Sequence, residues 1–158
     1  MTDREKIFIM RATPWDIVEY VDPQGRVPFR RWFEGVKDRK AAAIIDARLT
    51  RIQVGNFGDA KSVGTGVKEL KIDYGPGYRV YFGEDDRKVV VLLIGGTKKS
   101  QSTDIKRAQR YWAEYMETRH AKEKAYTLRR RSTRAPQRTQ LRGRISKRPL
   151  RRLRRTYG

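Results

Sequence analysis

The segment that decides the fold runs from Val67 to Ile94 and reads VKELKIDYGPGYRVYFGEDDRKVVVLLI. It contains three runs that are rich in β-branched and aromatic residues, over 67–73, 77–83 and 88–94, and each run predicts a strand. The connections between the runs are too short to hold a crossover helix. The segment therefore predicts a three-stranded antiparallel meander.

The residues before the meander predict one strand and two helices. A strand over 15–21 is followed by a turn, and Pro28 opens a short helix because proline is tolerated in the first helical turn. Asp38 is placed to cap a second helix, which Gly55 ends. The glycine-rich residues 55–66 predict a loop that leads into the meander.

The residues after the meander predict one more helix, with Ser102 or Thr103 as its cap and an apolar stripe that ends near residue 117. The expected order is strand, two helices, three-stranded meander and C-terminal helix. We expect an α+β fold in which the helices pack against one face of an antiparallel sheet.

Composition excludes several classes of protein. The chain has 158 residues, a formal net charge of +20, no cysteine and one histidine, His120. A disulfide framework and a cysteine nucleophile are therefore excluded, and a Ser–His–Asp triad or a histidine metal site is not expected. No apolar run approaches the ~20 residues of a membrane span. We expect a cytoplasmic protein that binds polyanions, has no membrane contact and needs no metal or other cofactor.

The basic residues are concentrated near the C-terminus. Residues 118–158 hold 16 of the 38 Lys and Arg residues and a single acidic residue, Glu123. We therefore expect a leader over 1–14, a globular domain over 15–117 and a mostly disordered basic tail over 118–158. The tail is either a non-specific nucleic-acid anchor or an accessory extension that no activity requires.

Side-chain alternation sorts the meander into two faces. One face is apolar, and we place it under the helices: Leu70, Ile72, Val80 and Phe82. The other face is polar and is expected to be open to solvent, with Lys98 and Lys99 at its rim: Glu69, Lys71, Arg79 and Tyr81. Such a face suits a phosphodiester, because fixed cations stabilise the transition state while a Lys, Glu or Tyr moves protons. An ordinary solvated face with a Glu–Lys pair is the alternative.

The body of the chain resembles the RelE/ParE toxins of type II toxin–antitoxin systems, and among them the phage-derived addiction module killer proteins. Matching stretches follow one another in the family's order over about 15–117: 28–32, 55–59, 66–73, 74–82 and 95–101. The resemblance implies a RelE-like fold and a toxin that a cognate helix-turn-helix antitoxin neutralises. It also implies a metal-independent endoribonuclease that cuts mRNA on the ribosome and arrests translation.

The resemblance also implies the site. Arg79 matches the arginine of the family's Gly-Tyr-Arg strand, Lys71 a basic position on the preceding strand, and Lys98 the lysine after a Gly-Gly turn. We expect these three to be catalytic, with Glu69 or Tyr81 as proton carrier. We expect RNA or ribosome contacts through Lys68, Lys99, Arg129, Arg130 and Arg131.

The chain departs from the ribonuclease members at two positions. Glu69 stands where they have a second lysine, and Ile105 lies near the position of their C-terminal tyrosine. The same superfamily contains inhibitors of DNA gyrase, so the fold does not determine the target. A gyrase inhibitor and a non-catalytic nucleic-acid-binding protein therefore remain as alternatives.

Overall fold

A computed structural model describes residues 14–133, which form an α+β domain with a five-stranded sheet and three helices. The strands are β1 (Asp16–Glu19), β2 (Lys61–Ser62), β3 (Val67–Ile72), β4 (Tyr78–Asp85) and β5 (Val89–Thr97). The helices are α1 (Pro28–Glu34), α2 (Arg39–Gln53) and α3 (Gln101–Ser132), and a 3-10 turn over Lys98–Ser100 precedes α3. The predicted leader up to residue 13 and the predicted tail from residue 134 lie outside the described residues.

The order of elements and the meander are confirmed, but the sheet is mixed rather than antiparallel. The strands lie in the order β1-β5-β4-β3-β2, and β3, β4 and β5 pair antiparallel as predicted. β1 pairs parallel with β5, with Asp16 opposite Val89. A parallel pair needs a long connection between its strands, and α1 and α2 lie within that connection. The short strand β2, which pairs with β3, lies in the segment predicted as a loop.

Helices cover both faces of the sheet, so the prediction that they pack on one face is wrong. α1 and α2 pack on the apolar face that contains Leu70 and Val80, as expected. α3 packs on the opposite face through Ala108 and Trp112. The central strands supply apolar side chains on both faces, and burial of both faces is favourable for that reason.

Two glycines allow tryptophans to lie directly on the sheet. A Cβ atom at Gly83 would lie 2.2 Å from ring carbon Cε3 of Trp112 on α3. On the other face, a Cβ atom at Gly95 would lie 2.0 Å from Cε3 of Trp32 on α1. Both tryptophans, like Trp15, pack in or against the core clusters and so anchor the helices on the sheet.

α3 is longer than predicted and includes residues 118–132, which the sequence analysis placed in the disordered tail. The middle of the helix is held on β4 by the Asp85 carboxylate, which lies 2.8 Å from Nη1 of Arg119 and accepts a hydrogen bond from the Tyr115 hydroxyl at 3.3 Å. Residues 120–133 are exposed. Their high charge suggested disorder, but Ala, Lys and Glu are good helix formers that extend a helix once its first turns are packed.

Candidate functional site

The three cations that the sequence singled out lie at one end of the sheet. Lys71 on β3 is in register with Arg79 on β4, and Arg79 is in register with Gly96 on β5. Lys98 begins the 3-10 turn after β5, and its main-chain N–H donates to the carbonyl of Gly77 across 2.8 Å. The end of β3, the start of β4 and the end of β5 therefore bring these residues together.

The polar face is not open to solvent as predicted, because the N-terminal half of α3 covers it. Glu69, Arg79 and Tyr81 are 8%, 5% and 0% exposed. Lys71, on the same face, is exposed. Alternation placed these residues on one face correctly, but it does not show which faces are covered by helices. The apolar residues that β5 contributes to this face make it the docking surface for α3.

The covered residues form a buried polar cluster under the first turns of α3. Nη1 of Arg79 lies 3.8 Å from Oε1 of Glu69, and the side-chain amide of Gln101 donates to Oε2 of Glu69 across 2.8 Å. Nε of Arg79 and the hydroxyl of Tyr81 are buried without a hydrogen-bond partner among the described residues. The cluster thus has hydrogen-bonding capacity that its own members do not use.

Tyr81 is held in its neutral form. Burial raises the pKa of the Tyr81 phenol well above its usual range, and the carboxylates of Glu69 and Asp104 raise it further. A phenol with such a pKa does not act as a base near neutral pH. Since Glu69 is also covered, neither predicted proton carrier meets solvent in this structure.

Of the predicted RNA-contacting residues, Lys68 lies on the other side of the sheet. Its ammonium group is 2.5 Å from Oε1 of Glu84 and lies over the ring of Phe57, which belongs to the cluster beneath α1 and α2. Alternation along β3 separates Lys68 from Lys71, and no side-chain motion within the strand brings them together.

The remaining predicted contacts are exposed. Lys98 and Lys99 are exposed in the turn before α3, next to the basic end of the sheet. Arg129, Arg130 and Arg131 occupy the last turn of α3, at its other end. The described residues therefore contain two separate basic surfaces rather than one.

Sequence analysis missed Asp104 and Asp85, which are 5% and 4% exposed. Asp104 accepts a hydrogen bond from the Ser100 hydroxyl and packs on Gly96. Asp85 anchors α3 through its contacts with Arg119 and Tyr115. Strand alternation places Asp85 on the same side of β4 as Tyr81 and Gly83, so the sequence did indicate which face of the sheet this carboxylate is on. Its partners lie on α3, and only the structure shows that α3 covers that face.

Two general properties follow from the described part of the chain. Within residues 14–133, no helix has the length and apolar character to cross a membrane. The same residues contain no group of three or more His, Cys, Asp or Glu side chains arranged to hold a metal ion.

The sequence of the chain is similar to that of a protein from Haemophilus influenzae. No protein-family model matches the chain. The chain is 49% identical over 81 residues to an uncharacterized protein of Haemophilus influenzae, a match that spans 51% of this chain and 82% of that protein. With this identity over most of the relative's length, the chain belongs to the same family as the Haemophilus protein.

Proposed function

We propose that the protein is a toxin of the RelE/ParE type that cleaves mRNA on the ribosome and is neutralised by a helix-turn-helix antitoxin. The observation that carries the proposal is the gathering of Lys71, Arg79 and Lys98 at one end of the sheet. The resemblance of residues 15–117 to that superfamily supports it, as does the α+β order of elements.

The three cations have different roles in this proposal because they differ in their exposure to solvent. Lys71 and Lys98 are exposed and contact the phosphodiester directly. Arg79 is buried, and its Nη1 lies 3.8 Å from Oε1 of Glu69, beyond hydrogen-bond distance, so the guanidinium remains available to a further anion. Its field is weakly screened because little water surrounds it, and it favours the negative charge that develops on the phosphate in the transition state.

Cleavage by the RNA's own 2′-hydroxyl suits such a site. The hydroxyl loses a proton, its oxygen attacks the phosphorus, and the 5′-oxygen leaves with a proton. Because Glu69 and Tyr81 are covered by α3, the proton carriers in this proposal are the exposed lysines.

Transcript mapping after brief induction in cells tests the proposal. Wild type is compared with Lys71→Gln, Lys98→Gln and the control Lys37→Gln, which removes an exposed lysine before α2. We expect new 5′ ends within translated frames in wild type and control, and their loss in the other two variants. Intact transcripts alongside growth arrest in wild type would contradict the proposal.

A gyrase inhibitor of the same fold is the second candidate. The burial of Glu69 and Tyr81 favours it, because both carboxylate and phenol are withdrawn from the surface where RNA would react. A supercoiling assay with purified gyrase separates the two functions, since only the second candidate inhibits supercoiling while transcripts stay intact.

A further inference from the structure

A cleft of about 590 Å³ opens beside the basic end of the sheet, between α1 and the first turns of α3. Its floor is the end of β5, residues Ile94–Thr97. β1 pairs with β5 only over Val89–Leu92, so among the described residues this floor has a neighbouring strand on the β4 side alone. The other main-chain edge of the floor borders the cleft and provides hydrogen-bonding groups that no strand uses.

Two adjacent glycines bring the walls of the cleft onto its floor. Gly95 accommodates the ring of Trp32 on α1, as described above. A Cβ atom at Gly96 would lie 1.9 Å from Oδ2 of Asp104 on α3. An indole at Gly95 and a buried carboxylate at Gly96 therefore lie on opposite faces of β5, and Tyr111 extends the wall on the α3 side.

The rim of the cleft carries unpaired positive charge. Arg31 from α1 and Arg107 from α3 both line it, and both are exposed. Neither forms an ion pair with any residue from 14 to 133, whereas Arg26 is held by Asp22 at 2.6 Å. Two free guanidinium groups on opposite walls suit a phosphate, which accepts paired hydrogen bonds from arginine.

We propose that this cleft binds one nucleoside monophosphate unit, with the phosphate between Arg31 and Arg107 and the base against the open edge of β5. The volume lies in the range of small-molecule sites. The main-chain edge and the Asp104 carboxylate offer both donors and acceptors to a base, and Trp32 and Tyr111 offer aromatic surface. An acidic peptide strand would use the same arginines, but it has no need of aromatic walls.

The cleft lies at the same end of the sheet as the proposed cleavage site. Gly96, on its floor, is in register with Arg79 on β4. A nucleotide in the cleft would therefore lie at the same end of the sheet as the phosphodiester that Lys71 and Lys98 would contact, two strands from Lys71. This assignment to the RNA substrate rests on the proposed function, whereas nucleotide binding itself does not.

Amide NMR of the full chain tests the site, with 5′-AMP, 5′-GMP, 5′-CMP, 5′-UMP and inorganic phosphate as probes. We expect at least one nucleotide to shift the Gly95 and Gly96 amides saturably, and inorganic phosphate to bind at least about ten-fold more weakly. Arg31→Gln and Arg107→Gln should each weaken nucleotide binding by about ten-fold or more, since each removes a charged hydrogen-bond donor. The control Lys106→Gln, an exposed cation of α3 outside the cleft, should leave binding unchanged.

Several results would overturn the proposal. One is the absence of saturable shifts at Gly95 and Gly96 with all four nucleotides. Another is equal binding of inorganic phosphate, and a third is equal weakening by Lys106→Gln, which would indicate general charge attraction. Shifts produced by a glutamate-rich hexapeptide but by no nucleotide would assign the cleft to a peptide strand instead.

The same measurements separate this proposal from the proposed function. Nucleotide binding together with intact transcripts in induced cells would refute mRNA cleavage and leave the nucleotide site standing. Transcript cleavage without nucleotide binding would refute the nucleotide site and leave the cleavage site of Lys71 and Lys98 standing.

Discussion

Replacing Gly83 by alanine should push α3 away from the sheet. A Cβ atom at Gly83 would lie 2.2 Å from both Cε3 and Cζ3 of Trp112. Carbon atoms pack at about 3.5–4.0 Å, so the indole would have to move by about 1.3 Å or more. The indole is confined, because its far edge lies against Gly66 and its ring stacks on Tyr115 at a centroid distance of 5.4 Å.

The expected loss of stability follows from the confinement of the indole. Overpacking of a filled core destabilises a protein by about 1–3 kcal/mol, and the upper half of that range applies when the neighbour has no free space. We therefore expect Gly83→Ala to lower the free energy of unfolding by about 2–3 kcal/mol. Complete withdrawal of the indole would cost about 3–5 kcal/mol, which sets the upper limit.

Urea unfolding followed by circular dichroism measures this change. With a slope of about 1–3 kcal/mol per molar urea, the midpoint should fall by about 0.7–3 M. Trp112→Leu provides the matched background, since the smaller side chain leaves room for the new methyl group. Gly83→Ala should then cost at least about 1 kcal/mol less than it does in the wild type, which is the sign of a direct contact.

A loss of less than about 0.5 kcal/mol on Gly83→Ala would refute this reasoning, because surface substitutions have effects of that size. Equal losses in the wild-type and Trp112→Leu backgrounds would do the same. Either result would mean that α3 does not cover this face, and that Glu69, Arg79 and Tyr81 meet solvent after all.

Three further predictions concern the attachment of the helices. Asp85→Ala leaves the Arg119 guanidinium, 15% exposed, without its partner, and we expect about 3 kcal/mol of destabilisation by urea unfolding. The double variant with Arg119→Met should recover part of it, and no recovery would contradict a direct pair. Gly95→Ala should destabilise the protein as Gly83→Ala does, because the new methyl group would overlap the ring of Trp32. An unchanged free energy of unfolding would show that α1 does not pack on Gly95. Asp38 caps α2, and hydrogen bonds from two N–H groups of its first turn and from a tyrosine hydroxyl hold the pKa of Asp38 below its usual value. This stabilisation is present above the unfolded pKa near 4 and is lost as pH falls through the folded pKa, so Asp38→Ala should flatten the acid limb of a thermal-melting profile.

Part of the candidate site was predictable from the sequence. Strand alternation placed Lys71 and Arg79 on one face, and the short hairpin connections placed them on neighbouring strands. The exposure of that face was not predictable, because an apolar stripe on α3 does not say which side of the sheet it covers. The error with Tyr81 has the same origin, since its burial depends on a helix that begins 20 residues later.

The nucleotide cleft was outside the reach of sequence reasoning. Gly95 and Gly96 do not have the glycine spacing of a phosphate-binding loop, so the sequence gives no local sign of a nucleotide site there. Their role in the structure is to let Trp32 and Asp104 approach the two faces of β5, and that requires α1 and α3 on opposite sides of the sheet. No local pattern marks such an approach, because the partners lie far apart in sequence.

The sequence by itself determined the element order, the meander, the cap at Asp38 and the division between apolar and polar strand faces. These features depend on interactions within a few residues, namely strand and helix periodicity, capping and turn chemistry. The tertiary structure alone decided the parallel pairing of β1, the coverage of both faces and the burial of Arg79. Those outcomes depend on contacts between residues distant in the chain, such as Trp112 on Gly83, whose energies become available only when the whole domain has packed.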